Sequence, residues 1–211
     1  MCARPADPLL PLVYLIDDDP VISHILVDLV ESVSLPYCVF DNAAAFLQQD
    51  LSAATGCIVT DVRMPGMNGL DLQDELRRRE IDLPIIFISS YAEVTSVVRA
   101  MRGGALDFFQ KPFSTQQLLD RIQDGLRIDL ARTALQARSR EIGERMALLT
   151  PREREVLQGV LDGKMTKVIA HELGISQRTA ETYRHLIMQK LQAGSIAELV
   201  RLALEVMPSG C

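Results

Sequence analysis

Four acids, two hydroxyls and a lysine stand at the ends of short apolar runs in the first half of this 211-residue chain. Asp17, Asp18 and Asp19 follow Leu12–Ile16, and Asp61 closes the run that starts at Cys57. Ser89 and Ser90 end the stretch PIIFIS, and Lys111 follows the run Ala105–Phe109. Asp17, Asp18 and Asp61, brought together, would repel one another unless a cation sat between them. Carboxylates with no His or Cys nearby suit Mg²⁺, which keeps some waters and also takes phosphate oxygens. Such a metal would neutralise an incoming phosphoryl group and leave Asp61 free to attack it. Lys111 offers a compact positive charge and Ser89 a hydroxyl donor for phosphoryl oxygens. Little more is required, because phosphoryl transfer is mostly positioning and charge stabilisation.

Each residue taken alone has a plainer reading. Asp61 could simply start a turn before Pro65-Gly66. The acidic run could be a solvated helix start favoured by the helix dipole. Lys111 could be a surface lysine before a proline, and Ser89 a satisfied strand-end hydroxyl. Convergence of all four positions is what carries the chemical reading.

The elements that must position them follow from periodicity. Leu12–Ile16, Tyr37–Phe40, Cys57–Asp61, Leu83–Ser89 and Ala105–Phe109 read as short strands buried on both faces. Helical stretches alternate with them: one opened by Pro20, then Asn42–Gln49, Leu70–Arg79, Val94–Met101 and one opened by Ser114 with Gln117 as its capping-box partner. Five such alternations give a parallel sheet covered on both faces. In that sheet the strand carboxyl ends share one edge, where ligands bind.

Length allows one large or two small domains. The net charge of -6 is uneven: residues 1–126 hold 9 Lys/Arg and 18 Asp/Glu, residues 127–211 hold 13 and 10. That asymmetry suggests two domains with different partners. Cys2, Cys38, Cys57 and Cys211 are scattered, which argues against a disulfide scaffold or zinc site and fits a reducing compartment. No apolar run reaches the ~20 residues of a membrane span, and Met1–Asp7 with Arg4 does not make a signal peptide. The chain reads as soluble and cytoplasmic.

From Ser114 to Leu149 no proline interrupts a helical pattern in which Ile122, Leu126, Leu130, Ala134, Ile142 and Met146 recur. Ile128, Leu135, Ile142 and Leu149 also fall seven apart. One long helix is expected, with Gly125 and Gly143 as places where it could break; a flexible charged linker around Arg138–Glu141 is the alternative. Thr150-Pro151-Arg152-Glu153 then makes a clean helix start. Thr166, Ser176 and Ser195, the last with Glu198, open three further helices. Two helices joined by a short turn at Gly174-Ile175 form a helix-turn-helix. The later helix would enter the major groove, and the DNA-facing candidates are Lys167, Gln177, Arg178, Thr179, Glu181, Thr182, Arg184, His185 and Lys190. A merely solvated helix face is the alternative for any one of them.

Two resemblances join these readings. Residues 10–128 resemble the receiver domain of two-component response regulators, through Asp17-Asp18, TDVRMPGMNG around Asp61, Ser89, and KPF at Lys111. Residues 148–208 resemble the LuxR-type DNA-binding domain, through LTPREREVL, IAHELGIS, RTAETYRHLIMQKL and SIAELVRLAL. Residues 129–147 become a helical linker. The expected architecture is α/β plus all-α: a doubly wound, five-stranded, flavodoxin-like sheet joined by a long helix to a four-helix domain. Together the resemblances imply a regulator of the FixJ/NarL type.

The resemblance also implies roles. Asp61 would receive phosphate from a partner sensor histidine kinase. Asp18, Asp61 and the backbone carbonyl of Arg63 would hold Mg²⁺, with Asp17 helping through water. Ser89 and Phe108 would act as the switch pair, and the Lys111–Pro112 bond would be cis. Phosphorylation would favour a homodimer on double-stranded promoter DNA, with RNA polymerase as a further partner. Ser90 departs from the usual Gly or Ala, and Ala180, Thr182 and Tyr183 depart within the recognition helix. Arg63 and Tyr91 occupy positions that the resemblance links to phosphoryl lifetime. Rival classes are an aspartyl-phosphate phosphatase, disfavoured because Arg63 replaces the second acid such enzymes want, and a receiver whose helical domain binds protein instead of DNA. The regulator reading makes the chain no enzyme beyond its own phosphorylation and dephosphorylation.

Overall fold

The apolar runs become strands because each must hide both faces. A computed structural model describes residues 11–207 and the backbone of Cys2–Ala3. The remaining residues, including most of Met1–Asp7 and the outer limits 10 and 208 of the expected domains, lie outside the described residues. The chain divides into two units, Met1–Thr133 and Ala134–Cys211.

In the first unit the strands are β1 (Cys2–Ala3), β2 (Leu12–Ile16), β3 (Tyr37–Phe40), β4 (Gly56–Asp61), β5 (Ile85–Ser89) and β6 (Asp107–Gln110). Their helices are α1 (Pro20–Glu31), α2 (Ala43–Leu47), α3 (Gly69–Arg78), α4 (Val94–Arg102) and α5 (Thr115–Ala147). The sheet order is β1-β3-β2-β4-β5-β6. β3, β2, β4, β5 and β6 are parallel, as expected. These five make the expected parallel sheet, and the two-residue β1 adds antiparallel to β3 as a further strand at its edge. A correction concerns sulfur: Cys38 is disulfide-bonded, whereas Cys57 is free and buried. Burial pushes the Cys57 thiol up to about 12.

Alternation along the strands serves two cores. Tyr14, Ile16, Ile58 and Phe87 pack with Phe46, Leu72, Leu76 and Ala100 from α2, α3 and α4. Val13, Leu15, Cys57, Val59, Ile86 and Ile88 pack on the other side with Leu26 and Val30 of α1 and Leu118, Ile122 and Leu126 of α5. Because β3 is added on one side of β2 and β4 on the other, the strand order reverses there, and the crevice opens at the carboxyl ends of β2 and β4.

β4 is held at its start as well. Gly56 sits at φ +135°, where a Cβ would fall 1.8 Å from the Leu12 carbonyl oxygen. Its amide donates to Asp129 Oδ2 at 2.7 Å. Asp129 has no exposed surface, also pairs with Arg132, and lies on the inward face of α5 after Ile122 and Leu126. Burial raises its pKa, although the Gly56 amide and Arg132 oppose the shift.

α5 is one helix of 33 residues. Neither Gly125 nor Gly143 breaks it, and Arg138–Glu141 is helical, so the flexible-linker alternative is set aside. At Gly125 a Cβ would meet Cys57 Sγ at 2.6 Å, so the glycine lets α5 lie close to β4. The seven-residue repeat splits: Ile128 and Leu135 are exposed, whereas Ile142 and Leu149 are buried. Leu130 is exposed too, and Asp129 takes the inward place. Residues 134–141 show no buried side chain for two turns.

The second unit contains α6 (Pro151–Leu161), α7 (Thr166–Glu172), α8 (Gln177–Leu191) and α9 (Ile196–Val206) around Ile142, Leu149, Val156, Leu157, Ile169, Ile187, Leu191 and Leu199. Thr150 and Glu153 make the full capping box. Three other caps differ from expectation. Thr166 is the first residue of α7, not its cap. Glu198 turns back to the Gly194 amide. For α5, Ser114 receives one bond, from the Gln117 amide at 3.4 Å. Among the described residues no helix is long and apolar enough to cross a membrane.

Candidate functional site

Asp17 leaves β2, Asp61 ends β4, Ser89 ends β5 and Lys111 follows β6. Parallel pairing brings all four to one sheet edge. Ligand atoms of Asp17, Asp18 and Asp61 lie within 4.8 Å of one another. Lys111 is 12% exposed at its side chain; its Nζ donates to Asp17 Oδ2 at 2.9 Å and stands 3.6 Å from Asp61 Oδ2. Asp17 Oδ1 accepts from the Asp19 amide at 2.9 Å. Asp61 Oδ1 accepts from the Val62 amide at 2.8 Å. Asp18 is exposed to solvent.

Electrostatics follow from this crowding. Burial raises the pKa of Asp17, against the hydrogen bond from Lys111. Burial likewise raises Asp61, against the Lys111 charge and with the Asp17 charge. Three oxygen-donor acids sharing one lysine are short of positive charge, which is a donor set that fits a hard divalent cation.

Local structure fixes each group. Asp19 caps α1 through the Val21 amide, so the chain turns sharply after Asp17. Gly69 lies against the end of β4, where a Cβ would meet the Asp61 carbonyl oxygen at 2.3 Å. Ser89 is buried; its hydroxyl donates to the Tyr91 carbonyl at 3.1 Å and accepts from the Tyr91 amide at 3.2 Å. It therefore faces its own loop and not Asp61. Phe108 is half-buried with its ring 6.1 Å from that of Phe87. The Lys111–Pro112 bond is cis. Arg63 is exposed and its guanidinium meets Glu93 at 2.6 Å. Sequence reading missed Glu93 and Asp129. Only for Asp129 is there a signal, an acid breaking the apolar stripe of α5.

In the second unit α7 turns at Gly174 into α8. Lys167, Gln177, Arg178, Glu181, Thr182 and His185 are exposed, and Thr179 is half-buried. Arg178, Glu181, Thr182 and His185 share one stripe, away from buried Ala180, Ile187 and Leu191. Two expected outward cations are turned inward. Arg184 bonds the Thr166 hydroxyl. Lys190 donates to Glu153 at 2.6 Å and to the Leu148 carbonyl at 3.2 Å. Burial would raise Glu153, but Lys190 and the Thr150 bonds outweigh it and leave its pKa lowered.

Comparison with known proteins agrees with both halves. Residues 13–123 match the family described as response regulator receiver domain, and residues 147–203 match bacterial regulatory proteins of the luxR family. The chain is 39% identical over 192 residues to the transcriptional regulatory protein FixJ of Bradyrhizobium diazoefficiens, covering 91% of this chain and 94% of that one. It is 42% identical over 196 residues to FixJ of Azorhizobium caulinodans, covering 91% of each. Among solved structures, the response regulator StyR aligns at a TM-score of 0.85 with 40% identity, covering 92% of this chain and 98% of that one. A receiver domain followed by a luxR-family DNA-binding domain, matched along nine-tenths of its length, places this chain in the response regulator family.

Proposed function

We propose that Asp61 is the phosphoacceptor of a transcription regulator and that its acyl phosphate controls DNA binding by the second unit. The observation that carries this is the meeting of Asp17, Asp61 and Lys111 at one sheet edge. Asp18, Asp61 and the Arg63 carbonyl would hold Mg²⁺, with Asp17 acting through water. Bound there, the metal supplies positive charge against the phosphoryl oxygens. Asp61 attacks the phosphorus of a phosphohistidine on a sensor kinase; its O–P bond forms as the P–N bond breaks. Lys111 moves from Asp17 toward a phosphoryl oxygen, and Ser89 rotates from the Tyr91 backbone toward another. The gap this leaves admits Phe108, which biases the receiver toward a second conformation.

Functionally the chain divides into a receiver at 10–128, a helical linker at 129–147 and a DNA-binding domain at 148–208. Phosphorylation favours a homodimer that places two α8 helices on successive half-sites of promoter DNA. The stripe Arg178, Glu181, Thr182 and His185 reads bases; Lys167, Gln177 and Thr179 flank it, while Arg184 and Lys190 hold α8 in place and lend charge at its margin. Such a protein works in the cytoplasm, in reach of RNA polymerase. It turns over nothing except its own phosphoryl group.

The test measures promoter-DNA binding and oligomeric state with and without acetyl phosphate and Mg²⁺, for the parent and Asp61→Asn. The parent is expected to dimerise and bind more tightly on phosphorylation, with affinity falling as salt rises. Asp61→Asn should not respond. Identical responses by the two proteins would sink control through Asp61, and salt-independent or absent DNA binding would favour a protein partner.

A further inference from the structure

A second constellation lies on the rim beside the acidic cluster. Arg63 stands two residues past Asp61, next to Val62, whose backbone amide donates to the Asp61 carboxylate. Its side chain is committed elsewhere. Arg63 Nη2 is 2.6 Å from Glu93 Oε1, and its guanidinium carbon is 4.5 Å from the centroid of the Tyr91 ring. Tyr91 in turn holds the Ser89 hydroxyl through its backbone amide and carbonyl. Glu93 occupies the N-cap position of α4 yet makes no side-chain cap bond. Short polar side chains cap helices well; this longer one instead reaches across to the acceptor loop.

We propose that Glu93 is a positioning residue that parks Arg63 on Tyr91 until a phosphoryl group on Asp61 competes for the guanidinium. The reading rests on Asp61 as phosphoacceptor. Both members of the pair are more than half exposed, at 56% and 59%, and exposed ion pairs are weak. A phosphoryl group offers more negative charge and a geometry that guanidinium matches with two bonds. It would also form only two residues before Arg63 in the chain. Capture of Arg63 would release Tyr91 and Glu93 together, as Ser89 lets go of the Tyr91 backbone. One phosphoryl group would thus pull the β5–α4 loop from two sides. Glu93 sets the threshold, because it is the rival anion.

The experiment uses the full chain and beryllofluoride with Mg²⁺ as a phosphoryl analogue that needs no turnover. Affinities are compared by calorimetry for the parent, Glu93→Gln, Arg63→Ala and the double variant. Glu93→Gln is expected to bind about two- to fivefold more tightly, the scale of one exposed ion pair. The gain should vanish in the Arg63→Ala background, since no guanidinium remains to be freed. A Glu93→Gln affinity equal to the parent, or a gain that survives Arg63→Ala, overturns the proposal. Absence of binding by the parent overturns the phosphoacceptor reading and this one with it.

Discussion

At the scale of residues, what matters is which charge each group spends itself on. Lys111 stands between two acids and is closer to Asp17 than to Asp61. It therefore stands beside Asp61 without being paired to it alone. Lys190 shows the opposite use of a lysine. On sequence it belonged to the outward face of the recognition helix, but its amine meets a carboxylate that is only 3% exposed. Removing one partner of such a pair leaves a buried charge underpaired. Lys190→Ala should cost about 1–3 kcal/mol of stability, read from urea unfolding. An unchanged midpoint accompanied by weaker DNA binding would return Lys190 to the DNA face. The acids and lysine of the receiver edge were legible because each ends an apolar run. Glu93 and the inward turn of Lys190 were not, because their partners lie 30 and 37 residues away and only folded geometry brings them near.

At the scale of elements, strand and helix order was readable almost throughout, since short, continuously buried apolar runs and helical stripes differ so clearly. Boundaries were less so. β6 starts at Asp107, two residues later than its apolar pattern, because Ala105 and Leu106 close the turn after α4 first. α5 hid a specific device. Its stripe reads as apolar through Leu130, yet the buried position is Asp129, an acid serving Gly56, the first residue of β4. Asp129→Asn tests what its charge costs, since a neutral amide can still accept from the Gly56 amide but carries no charge to bury. Direction with pH is also fixed. The folded-state pKa of Asp129 is raised above its ordinary 3.8. Its titration therefore contributes stability that is fully present below that value and lost as pH rises through the raised one. The parent should gain on Asp129→Asn as pH falls from 7 toward 4, in paired denaturant titrations. A stability difference that does not move in the parent's favour would contradict the burial-driven shift.

At the scale of the whole molecule, the two units carry different charge balances and separate cores. Both were foreseeable from composition. What composition did not settle was whether the joint is a helix or a loose tether; two resemblances meeting at a proline-free stretch leave both open. α5 decides for the helix, and residues 134–141 run through solvent with no side chain buried.

If that bare helical stretch carries torsion between the units, its length also sets an angle. Each residue added to it advances the downstream chain by ~1.5 Å and rotates it by ~100°. Seven residues bring the rotation back to within ~20° of its starting phase. Insertions after Ala137 should accordingly affect phosphorylation-dependent DNA binding periodically: two alanines disrupt it, while seven in a helical sequence restore most of it. Equal tolerance of every insert length, in the same DNA-binding assay, would mean that torsion is not transmitted along the helix.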